Sequence, residues 1–152
     1  MMSDDVSQVA AELFASGYNC AQSVLMALSG PLGLDAQTAA RLATGFGMGM
    51  ARGGVCGAVS GAVMALGLAG GGGGKDGMAA KVATYARART LYARFAERHG
   101  SISCRQLIGL DLATPEGLGQ AREERRFEMV CLPLVRDAVR LAREIAADQE
   151  PV

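Results

Sequence analysis

The chain has no net charge, no pair of closely spaced cysteines and a single histidine. Fifteen basic residues are matched by fifteen acidic ones, so the surplus of Lys/Arg phosphate contacts behind nonspecific nucleic-acid binding is missing, and no nucleic-acid partner is expected. None of the four cysteines lies in a CxxC pair, and the nearest two, Cys104 and Cys131, are 27 residues apart. Neither a zinc finger nor a thioredoxin-type motif is therefore present. His99 has no second histidine beside it, which leaves no hydrolase constellation to defend, and its place at a helix end suggests capping.

Long apolar runs are missing too. Residues 53–74 carry no charge, but their continuous apolar part, Val55 to Ala69, is 15 residues long and holds Gly57, Gly61 and Gly67. A bilayer span needs about 20 apolar residues, so a buried helix is expected and no membrane span. Asp4 and Asp5 stand where a signal peptide carries positive charge, which makes a cytoplasmic protein the expectation. No alternating strand pattern of useful length occurs.

What is there reads as helix. Half of the 152 residues are hydrophobic and a fifth are charged, enough for one domain with a real core. The spacing of Val6, Val9, Ala10 and Leu13 predicts a helix from Asp4 to Ala15, stopped by Gly17. Asn19 caps a second helix running to about Leu28, closed by Gly30-Pro31, and Asp35 caps a third that reaches Thr44. GFGMGMARGG, residues 45–54, is too glycine-rich for a helix interior and reads as an irregular connection. An uncharged helix follows from about Val55, and Gly70 to Gly74 form a linker.

The longest helix spans Asp76 to about Arg98, with Met78, Val82, Tyr85, Ala88, Tyr92 and Phe95 on one face, the six Lys/Arg from Lys75 to Arg98 on a solvated face, and His99-Gly100 closing it. A short helix follows Ser101 or Ser103, Thr114-Pro115 opens another helical stretch, and the last helix starts near Pro133, burying Leu134, Ala138, Leu141, Ala142 and Ile145. The expectation is an all-α, compact single-domain bundle of about six or seven helices.

In this layout all four cysteines fall at or beside helix starts: Cys20 after Asn19, Cys56 after the glycine pair, Cys104 after Ser103, and Cys131 two residues before Pro133. Unpaired N–H groups and the helix dipole stabilise a thiolate there. If the starts converge, they form an electropositive pocket lined with sulfur. Packing is the competing reading, because free cysteine often behaves as a small buried hydrophobe. Gly57 and Gly61 form a GxxxG pair that lets another helix approach closely. GGGGGKD, residues 70–76, is not a phosphate loop, since Asp76 stands where Ser or Thr is required.

The order Cys20, Cys56 in CGAVSG, Cys104 and Cys131, with GYNCAQSVL and GFGMGMARGGVCGAVSGAVMALG around the first two, resembles the redox-active family named for the pattern C, GCAxxG, C, C. Here the motif reads CGAxxG. The resemblance runs from Gly17 through Cys131 and implies redox chemistry at the four cysteines, with no substrate assigned. A similar domain occurs in split-Soret cytochromes c beside an iron–sulfur centre and hemes. This chain has no CxxCH to attach a c-type heme, so no heme is expected.

Three readings follow. In thiol redox cycling with an unassigned redox partner, Cys56 is the expected nucleophile, reached through its glycine-rich approach, and Cys20 the expected resolving partner. In an iron–sulfur or other metal protein, Cys20, Cys56, Cys104 and Cys131 are all ligands. In a non-catalytic interaction module the cysteines only pack. Exposed apolar faces and close-packing glycines also suit a homodimer.

Overall fold

The computed structural model describes residues 2–148. Its helices are α1 (Met2–Ala15), α2 (Cys20–Ser29), α3 (Ala36–Ala43), α4 (Gly57–Gly70), α5 (Met78–His99), α6 (Cys104–Ile108), α7 (Pro115–Glu123) and α8 (Leu132–Ala147). There is no strand among the described residues, only an isolated antiparallel bridge between Val55 and Ser103. The fold is all-α, with eight helices among the described residues where six or seven were expected. Among the described residues no helix is long and apolar enough to cross a membrane.

Local chemistry explains most helix starts. Asn19 Oδ1 accepts from the Gln22 N–H at 2.9 Å while Gln22 Oε1 accepts from the Asn19 N–H at 2.9 Å, a reciprocal capping box. Asp35 and Thr114 cap α3 and α7 in the simpler way, each accepting from a backbone N–H three residues on. Gly17 and Gly100, both at positive φ, end α1 and α5.

The centre of the core is Val24 and Leu25 of α2, Val59 and Leu66 of α4, and Val135 and Val139 of α8, all essentially inaccessible. Each such side chain contributes about 1.5–3 kcal/mol relative to exposure. Every α8 residue expected in the core is buried. The GxxxG pair does bring helices together: a Cβ on Gly61 would stand 2.8 Å from the Ala21 carbonyl oxygen of α2.

Two expectations need correction. The apolar face of α5 is buried only in its second half, through Ala88, Leu91 and Phe95, whereas Met78 is 61% and Tyr85 56% exposed. At 22 residues α5 is longer than the 14 of α4 and 16 of α8, and its first turns go uncovered. His99 is not a simple helix cap. Its Nε2 lies 2.6 Å from Asp137 Oδ2, and Arg98 Nη1 lies 2.6 Å from Asp137 Oδ1, so the two residues pin the end of α5 to α8.

Candidate functional site

The cysteines come from four separate elements, and local bonding explains each position. Cys20 is the first residue of α2, held by the capping box on one side. On the other, Asn19 Nδ2 donates to the Thr44 carbonyl at 2.9 Å and Gln22 Nε2 to the Ala40 carbonyl at 3.0 Å. These bonds draw residues 44–47 over the start of α2.

Cys56 and Cys104 are tied to each other's segments. The Cys56 N–H donates to the Ile102 carbonyl and the Cys104 N–H to the Gly54 carbonyl, both at 2.7 Å. This two-way bond consumes Val55 in a bridge, so α4 starts at Gly57 and Cys56 is its N-cap residue rather than part of its first turn. The glycine-rich approach is an irregular loop, as expected. Met48, Met50 and Ala51 have φ of 53°, 59° and 60°, a left-handed conformation that costs non-glycine residues energy. Gly49, also at positive φ, has no room for a side chain, because its Cβ would meet the Cys104 Cβ at 2.7 Å.

Cys131 ends a π turn, Phe127–Cys131, that runs directly into α8. The Leu132 N–H is already bonded to the Phe127 carbonyl, and Pro133 has none. Cys131 therefore does not sit at an open helix N-terminus. Arg126 Nη1 donates to the Ile108 carbonyl and ties this turn to the end of α6.

All four cysteines line a single cavity of about 490 Å³. Phe14, Tyr18, Leu107, Leu112 and Phe127 give it an apolar wall, and Arg122 and Glu128 add one charge of each sign. Sequence reasoning missed these wall residues. For Phe127, Arg122 and Glu128 the only signal was the charged run AREERRFE, residues 121–128, which has no clear period.

The four sulfurs differ electrically. Burial pushes the Cys56 thiol up to about 11, and the N–H groups of Ala58 and Val59 at the start of α4 only partly offset it. Burial also raises Cys104, to about 12, with the nearby Cys56 and Cys131 adding to the effect. Cys20 and Cys131 line the same cavity, and each acts on the other's acidity: the Cys20 thiol lowers Cys131 below its ordinary value, and Cys131 together with burial raises Cys20 well above its own. Desolvation thus outweighs the helix dipole at Cys56, and the thiolate forms most readily at Cys131.

Cys56, the expected nucleophile, is buried and its thiol is pushed up, whereas of the four cysteines Cys131 is the one whose thiol is lowered, through Cys20. The donors for a metal or cluster are of the right type. Yet among the described residues no three His, Cys, Asp or Glu side chains are grouped so as to hold a metal ion, so the arrangement does not fit such a site as it stands.

The family model described as "Putative redox-active protein (C_GCAxxG_C_C)" matches residues 18–145. The chain belongs to this family. The match encloses all four cysteines and the whole cavity lining except Phe14, Ala15 and Gly17. No curated protein and no solved structure matches the chain.

Proposed function

We propose that this member of the C_GCAxxG_C_C family works by thiol–disulfide cycling, with Cys131 as attacking thiolate and Cys20 as resolving thiol. The observation that carries this reading is that Cys20 and Cys131 line one cavity large enough for a small molecule, with their acidities shifted in opposite directions by one another. The thiolate is the form that attacks a disulfide, and a second thiol nearby then releases the product. Cys20 serves both steps: its S–H stabilises the Cys131 thiolate, and its sulfur then closes the intramolecular disulfide.

Cys56 and Cys104 keep their protons at neutral pH and complete the sulfur lining. The loop from Gly45 to Gly54 holds both of them in place without placing a charged side chain in the cavity lining.

The experiment is single-turnover reaction of the reduced protein with a small disulfide. Wild-type protein, Cys56→Ser and Cys104→Ser each release two thiols per chain. Cys131→Ser releases none from this pair, and Cys20→Ser stops at a mixed disulfide after one. Full two-thiol release by Cys131→Ser would overturn the assignment. So would stoichiometric iron and acid-labile sulfide in protein purified without oxygen, lost on replacing any one cysteine, which is the mark of the cluster reading.

A further inference from the structure

The cavity lining holds an arginine that has no ion-pair partner among the described residues. The run from Ala121 to Glu128 contains three arginines. Arg125 faces Glu128 at 3.8 Å, and Arg126 Nε meets Glu124 Oε2 at 2.7 Å. Arg122 forms no ion pair and no side-chain hydrogen bond among the described residues, and it is the one arginine of the three that lines the cysteine cavity. The other charged residue of the lining, Glu128, has Arg125 as its counter-ion. The remaining wall is apolar and partly aromatic, through Phe14, Tyr18 and Phe127.

We propose that the substrate of the Cys20–Cys131 pair is a small organic disulfide with an apolar body and a carboxylate, the carboxylate binding Arg122. This rests on the thiol–disulfide reading above. A guanidinium matches a carboxylate in a two-pronged geometry, and the volume of about 490 Å³ suits a small molecule rather than a polypeptide segment.

The chemistry balances without a further oxidant. The Cys131 thiolate attacks one substrate sulfur, forming a mixed disulfide and expelling the other half as a thiolate. That thiolate takes the Cys20 proton and leaves as a thiol. The Cys20 sulfur then attacks Cys131 Sγ, forming the Cys20–Cys131 disulfide and expelling the second half as a thiolate. The substrate gains two electrons and the protein loses two; an external dithiol returns the protein to its reduced state.

The test compares single-turnover rates of the reduced protein with two aromatic disulfides, the anionic dithiobis(nitrobenzoate) and the uncharged dithiodipyridine. Because their leaving groups differ, the quantity read is the anionic-to-neutral rate ratio across variants. The ratio falls about fivefold in Arg122→Gln, the scale of an exposed ion pair, and is only partly restored in Arg122→Lys, which keeps the charge but not the two-pronged geometry. It is unchanged in Arg89→Gln, an exposed arginine of α5 outside the cavity. Raising salt lowers the wild-type ratio toward the Arg122→Gln value.

A ratio indifferent to Arg122, with both reagents still oxidising Cys20 and Cys131, would overturn the carboxylate assignment and leave the dithiol reading intact. If neither reagent oxidises that pair, both fall together.

Discussion

Cys20, the first residue of α2, and Cys131, in the turn that leads into α8, line the same cavity and shift each other's acidity in opposite directions. The pairing spans 111 residues of sequence and divides four like side chains into two that differ strongly in acidity and two that are simply buried.

Because the Cys20 thiol lowers Cys131, removing that thiol should slow reaction at Cys131. In Cys20→Ala the alkylation rate of Cys131 at pH 7 falls about tenfold, the scale of one hydrogen bond to a charged group, and its pH profile moves to higher pH. Cys20→Ser keeps an O–H donor and holds the profile close to wild type. The check is iodoacetamide labelling followed by peptide mass analysis across pH. A profile insensitive to Cys20→Ala would show that Cys20 does not set the thiolate.

Stability should fall at alkaline pH. Cys56 and Cys104 are raised from an ordinary value near 9 to about 11 and about 12. Above pH 9 the unfolded chain releases these protons while the folded chain keeps them, so unfolding becomes easier as pH rises toward 11–12. Cys56 alone accounts for a loss on the order of 2 kcal/mol by about pH 11. Urea midpoints at pH 8, 10 and 11 should decrease in that order, and less steeply in Cys56→Ala. A flat series would contradict the burial of protonated thiols.

Much of the fold can be read from single residues because its helix starts are local. Asn19, Asp35, Ser103 and Thr114 each accept from an N–H three residues along, and such bonds depend on nothing distant. The start of α4 is different. Val55 is committed to Ser103, 48 residues away, and no local pattern records that pairing. The same holds for the site. That the cysteines lie near helix starts follows from the sequence, but their ranking depends on burial and on which sulfur meets which. The exposed half of α5 was misplaced for a related reason, since periodicity shows a face and not what covers it.

The close approach of α2 and α4 makes Gly61 a sensitive position. Alanine is favoured over glycine in helices by about 1 kcal/mol, yet a Cβ there would lie 2.8 Å from the Ala21 carbonyl oxygen and 3.1 Å from the Val24 Cβ. Overpacking costs about 1–3 kcal/mol, so Gly61→Ala should lower Tm by several degrees. A raised Tm would mean the two helices separate without cost.

The joint between α5 and α8 rests on Asp137, whose side chain is 13% exposed. Asp137→Ala leaves Arg98 and His99 without their shared carboxylate. The expected cost is about 1–3 kcal/mol, below that of a fully buried pair because Arg98 is half exposed. Asp137→Asn should fall between wild type and Asp137→Ala in urea denaturation. If the two variants match wild type, the joint contributes nothing to stability.

The most direct test of the account is to oxidise the fully reduced protein with one equivalent of disulfide reagent without oxygen, then map the cross-link by mass spectrometry after acidic digestion. The account predicts one dominant disulfide, Cys20–Cys131, with Cys56 and Cys104 recovered as free thiols. A dominant cross-link through Cys56 or Cys104, or four free thiols with the reagent left unreacted, would contradict it.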